Sequence, residues 1–241
     1  MRISLLVISL ITIANSFTSC DVTGQNRVRG SGNITKEERS VNPFKELSVR
    51  GSMDVYITQG PSKAAVIEAD DNIIPLIELE QEGDKLIVRL RKNTSINSSK
   101  GMKVYLTTPE LEELHMAGSG NAVLENKFTN NTEMKLSLSG SGNLRGTINS
   151  PNIDANIAGS GDISVDGETQ KLDIDIAGSG NFKGSSLMSE NADVTIAGSG
   201  NANIHASVKL DAKIAGSGNV NYKGSPQVNS KVAGSGSVRK D

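Results

Sequence analysis

The sequence predicts an all-β fold: a β-solenoid, wound as a parallel β-helix with about 18–22 residues per coil. Three observations predict it. The tripeptide Gly-Ser-Gly recurs with its first glycine at Gly118, Gly140, Gly159, Gly178, Gly198, Gly216 and Gly234, at intervals of 22, 19, 19, 20, 18 and 18 residues. Apolar and polar residues alternate with period two on both sides of each tripeptide, the mark of short strands with one buried face. And 25 Gly stand beside only three Tyr, four Phe and no Trp, too little aromatic volume for a thick globular core.

Taken from the start, Met1 and Arg2 precede an uncharged apolar run over residues 3–13, and small and polar residues follow as far as Cys20. That is the layout of a secretory signal, residues 1–19. An apolar run of about 11 residues is too short to cross a bilayer. The segment Phe17-Thr18-Ser19-Cys20 resembles a bacterial lipoprotein signal, with Phe17 where Leu is usual, in which the cysteine becomes the acylated first residue. The plainer alternative is cleavage near Ser19 with Cys20 incidental. Cys20 is the sole cysteine, so no internal disulfide forms. Acylation there would make residues 20–35 a lipid-anchored tether leading into the first strand, with the membrane as a partner.

Residues 36–117 read as irregular N-terminal β coils. "FKELSVRGSMDVYITQG" repeats strand, corner and strand around Gly51, with Leu47, Val49, Val55 and Ile57 inward, and "RGSGNI" at Gly30 is a second outlying copy. "AAVIEAD", "LIELEQ", "KLIVRLRK" and "MKVYLTT" alternate as further strands between turn signals. These form either larger, looser coils or a sandwich-like cap continuous with the solenoid.

Residues 118–241 form the regular repeat. Two residues before each marker glycine stand Met116, Leu138, Ile157, Ile176, Ile196, Ile214 and Val232; four before stand Leu114, Leu136, Ala155, Ile174, Val194, Ala212 and Ser230. Both columns are expected inward. The positions between them are polar and expected outward, among them His115, Asp175 and Lys213. Four residues past the marker, Ala122, Leu144, Ile163, Phe182, Ala202, Val220 and Val238 turn inward again. About 19 residues leave no room for a helical return, and no segment shows a 3.6-residue apolar period. A single coil has about five inward side chains, too few to offset ordering its backbone, so stability comes from stacking.

The repeated turn is therefore a corner. Its glycines Gly118 and Gly120, Gly140 and Gly142, Gly159 and Gly161, Gly178 and Gly180, Gly198 and Gly200, Gly216 and Gly218 are expected to supply backbone angles closed to other residues and close stacking. The serine between them, and the alanine before, are expected where little room exists. Asn121, Asn143, Asp162, Asn181, Asn201 and Asn219 follow, and stacked amides form ladders from rung to rung. A phosphate-binding loop is disfavoured: no helix, no Lys-Ser/Thr and no G-x-G-x-x-G spacing accompanies the glycines. The calcium-binding nonapeptide order of β-rolls is also not matched.

Asp154, Asp173, Asp193 and Asp211 fall in one outward column. They are either a cation-binding strip or, as favoured here, a solvated face relieved by nearby lysines. His115 and His205 are the only histidines and are read as surface residues; no metal, cofactor or catalytic set is nominated. The formal charge of −2, about −3 without the leader, argues against nucleic acid as a partner.

The lipoprotein-type start, "GSGNITKEERSVNPFKELSVRGSMDVYITQG", "IPLIELEQEGDKLIV", "KVYLTTPELEELHMAGSGN" and the Gly-Ser-Gly-Asn series together resemble the DUF2807 family, the autotransporter adhesin head GIN domain of Bacteroidetes, over residues 30–236. The resemblance implies a pectin-lyase-like β-helix without catalytic residues. It also implies a role in adhesion at the cell envelope. Together with the lipoprotein-type start, the expectation is an outer-membrane or cell-surface lipoprotein of a Gram-negative bacterium that presents its outer surface to glycans, proteins or other surfaces. A carbohydrate-active enzyme of the lyase or hydrolase type on the same coil, and a passive structural envelope protein, are the alternatives.

Overall fold

The computed structural model describes residues 26–98 and 100–241; the leader and Cys20 lie outside them. From residue 113 onward the chain is a stack of parallel rungs. Glu113–Gly118 turns into Asn121–Leu124, Glu133–Gly140 into Asn143–Asn149, and Asn152–Gly159 into the long strand Asp162–Gly178. Asn181–Gly198, Asn201–Gly216 and Asn219–Lys223 continue the winding, and Gln227–Gly234 and Ser237–Lys240 close it. The marker glycines stand in register throughout, Gly51 on Gly118, Gly118 on Gly140, and so on to Gly216 on Gly234. This is the β-solenoid that the glycine spacing predicts.

At the N-terminal end the rungs leave chain order. Glu46–Gly51 lies between Lys85–Leu90 and Glu113–Gly118, and Asp54–Gln59 lies between Lys103–Thr108 and Asn121–Leu124. The strands later in the chain thus build the outermost parallel rung, and the earlier ones slot in beneath. Antiparallel pairs flank them: Ile34–Arg39 with Ala65–Asp70, Ala65–Asp70 with Lys103–Thr108, and Ile77–Glu82 with Lys85–Leu90. Residues 36–117 thus contain parallel rungs of the stack and antiparallel pairs beside them. Gly51 joins the corner column. Gly30 does not: its loop is clamped by Gly32 N–H donating to Asp70 (2.7 Å) and Asn33 donating to Asp71 (2.9 Å).

One continuous core runs through the stack. Met116, Leu138, Ile157, Ile176, Ile196 and Ile214 are all buried, as are Leu144, Ile163, Phe182 and Val220 past the corner. The last coil departs from expectation. Val232 is 42% exposed, Val228 38%, and Ser230 is exposed too. Their alternation is that of inward residues, but among the described residues no further rung covers them.

Candidate functional site

The corner is where the repeat is most constrained, and its two glycines serve different ends. The first of each pair has positive φ, from +121° at Gly140 to +137° at Gly118, a region closed to most side chains. The second does not, which corrects the expectation of special angles at both. It is glycine for lack of room: a Cβ on Gly180 would stand 2.3 Å from the Gly161 carbonyl oxygen and 2.6 Å from Ile157 Cγ2. From Gly118 to Gly216 each first-glycine carbonyl accepts two N–H bonds from the next rung, as Gly159 O does from Ser179 (2.8 Å) and Gly180 (3.0 Å). Ser119, Ser141, Ser160, Ser179, Ser199 and Ser217 are exposed, and so are Ala158, Ala177, Ala197 and Ala215. Crowding does not explain their small size.

Beside the corner the amides form a ladder in two runs. Asn121 donates to Asp54 (2.7 Å) and Asn143 to Asn121 (2.9 Å). The second run starts at Asp162, which accepts from Asn181 (2.8 Å); Asn201 then donates to Asn181 and Asn219 to Asn201, each at 3.0 Å, and Ser237 donates to Asn219. An amide both donates and accepts, so it can stand mid-ladder. An ionised carboxylate only accepts, so it can stand only at the start of a run, and the ladder breaks between Asn143 and Asp162.

Burial pushes the Asp162 carboxyl up, but bonds from Lys183 (2.6 Å) and Asn181 outweigh it and hold the group below the ordinary carboxylate range. A folded-state value below the unfolded one contributes stability that is present above the ordinary Asp value and lost as pH falls through the folded value. Asp162→Asn removes that dependence. Thermal unfolding followed from pH 7 down to about 3, below the ordinary Asp value near 4, is expected to show wild type losing more stability than the variant; equal losses would refute the assignment.

The four aspartates stand in one row, Asp154 beside Asp173, Asp173 beside Asp193, and Asp193 beside Asp211. Lysines relieve it: Lys171 pairs with Asp173 at 2.7 Å, and Lys209 pairs with Asp211. Lys209 and Asn229 draw the Asp211 carboxyl down, whereas burial, then the charges of Glu133, Asp173 and Asp175, push Asp154 up. Among the described residues no group of three His, Cys, Asp or Glu is placed to hold a metal ion. His115 lies on the flank before the corner with Asn156 and Asp175. His205 is half-buried, and its Nδ1 has no hydrogen-bond partner among the described residues.

A second polar column escaped the sequence reading. Asn130, Ser150, Thr169 and Ser189 are buried at the opposite bend of successive coils, and Thr108 is buried at the bend before them. Three of their hydroxyls donate to the carbonyl two residues on, Thr108 to Glu110, Ser150 to Asn152 and Thr169 to Lys171. The Thr-Pro and Ser-Pro pairs at Thr108 and Ser150 were the available signal.

On the flank past the corner, outward side chains form a single row. Tyr105, Tyr56, Val123, Arg145, Ser164, Lys183, Asn203, Asn221 and Arg239 occupy successive rungs in matched register. Tyr56 and Tyr105 stack with ring centroids 5.0 Å apart and planes at 18°, and Lys36 Nζ lies 5.8 Å from the Tyr105 centroid. A groove of about 370 Å³ opens along the row, lined by Tyr56, Val123, Asn143, Arg145 and Lys183 among others. It offers an aromatic face, amides, the cations of Arg145 and Lys183, and the carboxylates of Asp54 and Asp162, the latter engaged by Lys183.

The sequence profile of the DUF2807 family, described as "Putative auto-transporter adhesin, head GIN domain", matches residues 43–226. A crystal structure described as a putative adhesin from Bacteroides fragilis is similar with a TM-score of 0.83 at 23% identity, over 89% of this chain and 100% of that one. A putative adhesin from Parabacteroides merdae gives 0.72 at 24% identity, over 89% and 99%. A structure described as a putative lipid binding protein from Parabacteroides distasonis gives 0.72 at 27%, over 89% and 99%. No curated protein matches the chain.

Proposed function

Because the chain belongs to the DUF2807 family, we propose that it is a non-catalytic, lipid-anchored adhesin of the cell envelope that binds glycans, proteins or other surfaces along its outer flank. The observation that carries the proposal is the unbroken register of that flank. Side chains of equivalent position stand in straight rows from Tyr105 to Arg239 on a hydrogen-bonded ladder. Such a face suits many weak contacts made together, whose joint strength exceeds that of each. The test is retention of beads coated with the mature chain on bacterial and host-type cell surfaces. Retention above that of beads carrying the heat-unfolded chain is expected, and equality would refute the reading.

In this reading Cys20 carries the lipid. Two or more acyl chains give firm anchorage where one gives only marginal binding. Cys20→Ala is expected to move the protein from the membrane to the soluble fraction with its circular dichroism spectrum unchanged. Retention of the variant in membranes would show that another segment holds it there.

A further inference from the structure

We propose that the slot over Val123, between Tyr56 and Arg145, seats one ring of an acidic saccharide; this rests on the adhesive reading above and names its ligand class. The stack of Tyr105 on Tyr56 has Lys36 at its outer end. At the inner end the next residue in the row is Val123 and the one after it Arg145. Valine is too short to cover the second face of the Tyr56 ring, so the row has a gap one residue wide. Rungs lie about 4.8 Å apart, which puts the Tyr56 and Arg145 backbones about 10 Å apart, room for one ring continuing the tyrosine stack.

Two independent features say what that ring should carry. The first is charge. Lys183, further along the groove, is paired with Asp162 at 2.6 Å, whereas Arg145 makes no ion pair or hydrogen bond among the described residues. A planar guanidinium stacks on a ring or grips a carboxylate with two parallel bonds. The second is the break in the amide ladder. Asn143 donates to Asn121, but its neighbour on the other side is Asp162, whose carboxylate has no hydrogen to give. The Asn143 carbonyl oxygen is left as an acceptor, on an exposed residue of the same groove. A hydroxylated ring bearing an acid group uses all three: its C–H face packs on Tyr56, a hydroxyl donates to Asn143, and the acid meets Arg145. A neutral sugar offers Arg145 only hydroxyl acceptors, weaker than the paired bonds to an acid group, and a plain aromatic anion leaves Asn143 idle.

The test is an array of immobilised oligosaccharides containing uronic acids, sialic acids or sulfated sugars beside their neutral counterparts, probed with the mature chain. Acidic members are expected to be retained over neutral ones. Arg145→Ala and Tyr56→Ala should each lower that retention about tenfold or more, the scale of a lost charge-assisted bond. Tyr56→Phe should preserve it, as should Lys213→Ala on the other flank, and melting temperatures should confirm that all four variants fold. Acidic retention indifferent to Arg145→Ala and Tyr56→Ala would overturn the slot while leaving the adhesive reading intact. Equal retention of neutral sugars would overturn the acid preference. No retention of any sugar would overturn the slot, and the adhesive reading would then stand or fall by the cell-surface assay alone.

Discussion

Gly178→Val is expected to lower stability by about 3–5 kcal/mol, combining positive-φ strain of about 1–3 kcal/mol with a steric conflict that the stack cannot absorb. Gly178 has φ of +125°, and a Cβ there would stand 2.4 Å from the Gly159 carbonyl oxygen. That oxygen holds the Ser179 and Gly180 amides, so moving the rungs apart breaks two bonds at once. The Gly178 carbonyl in turn holds Ser199 and Gly200, which carries the disturbance to the next coil. For a chain of this size each kcal/mol corresponds to about 2–4 °C, so the melting temperature should fall by about 6–20 °C. Ser179→Val, one residue away but exposed, should change stability by less than about 0.5 kcal/mol. Equal effects at the two positions would mean that stacking at the glycine is not what fixes the corner.

The second large effect is expected at Phe182, the one aromatic in its column. It is fully buried, and its neighbours in the rungs on either side are Ile163 and Ala202. Gly184 makes room for the ring within the same rung: a Cβ on Gly184 would meet Phe182 Cε1 at 2.4 Å. Phe182→Ala then leaves a hole bordered by two residues already too small to fill it, and should cost about 3–5 kcal/mol in denaturant unfolding. Gly184→Ala should also destabilise the wild type, but should be neutral or favourable in the Phe182→Ala background. A double-mutant cycle showing simple additivity would contradict this packing.

How much of this was legible in the sequence depends on how many residue types each position admits. At Gly178 and Gly180 every other residue type is excluded, at one by backbone angle and at the other by a carbonyl 2.3 Å from where Cβ would lie, so the corner is written plainly. The amide column was legible for the same reason, since few side chains both donate and accept. The row holding Tyr56, Val123, Arg145 and Lys183 shares no residue type, because solvent on one side imposes none, and only the register brings its members together. The N-terminal rung order was hidden because alternation reports that a strand has an inner face, not which strand lies beside it. Val232 shows the complementary limit: its pattern is that of a core residue, yet burial requires a neighbour that the pattern cannot supply.

The central claim, a solenoid that holds surfaces without transforming them, is tested most directly by measuring retention and turnover together. The mature chain is incubated with cell-surface polysaccharides, acidic and neutral, while bound protein and newly formed reducing or unsaturated ends are followed in the same samples. Retention with no accumulation of new ends is the predicted result. Product accumulating in molar excess over protein would contradict the account and make the outer flank an active site.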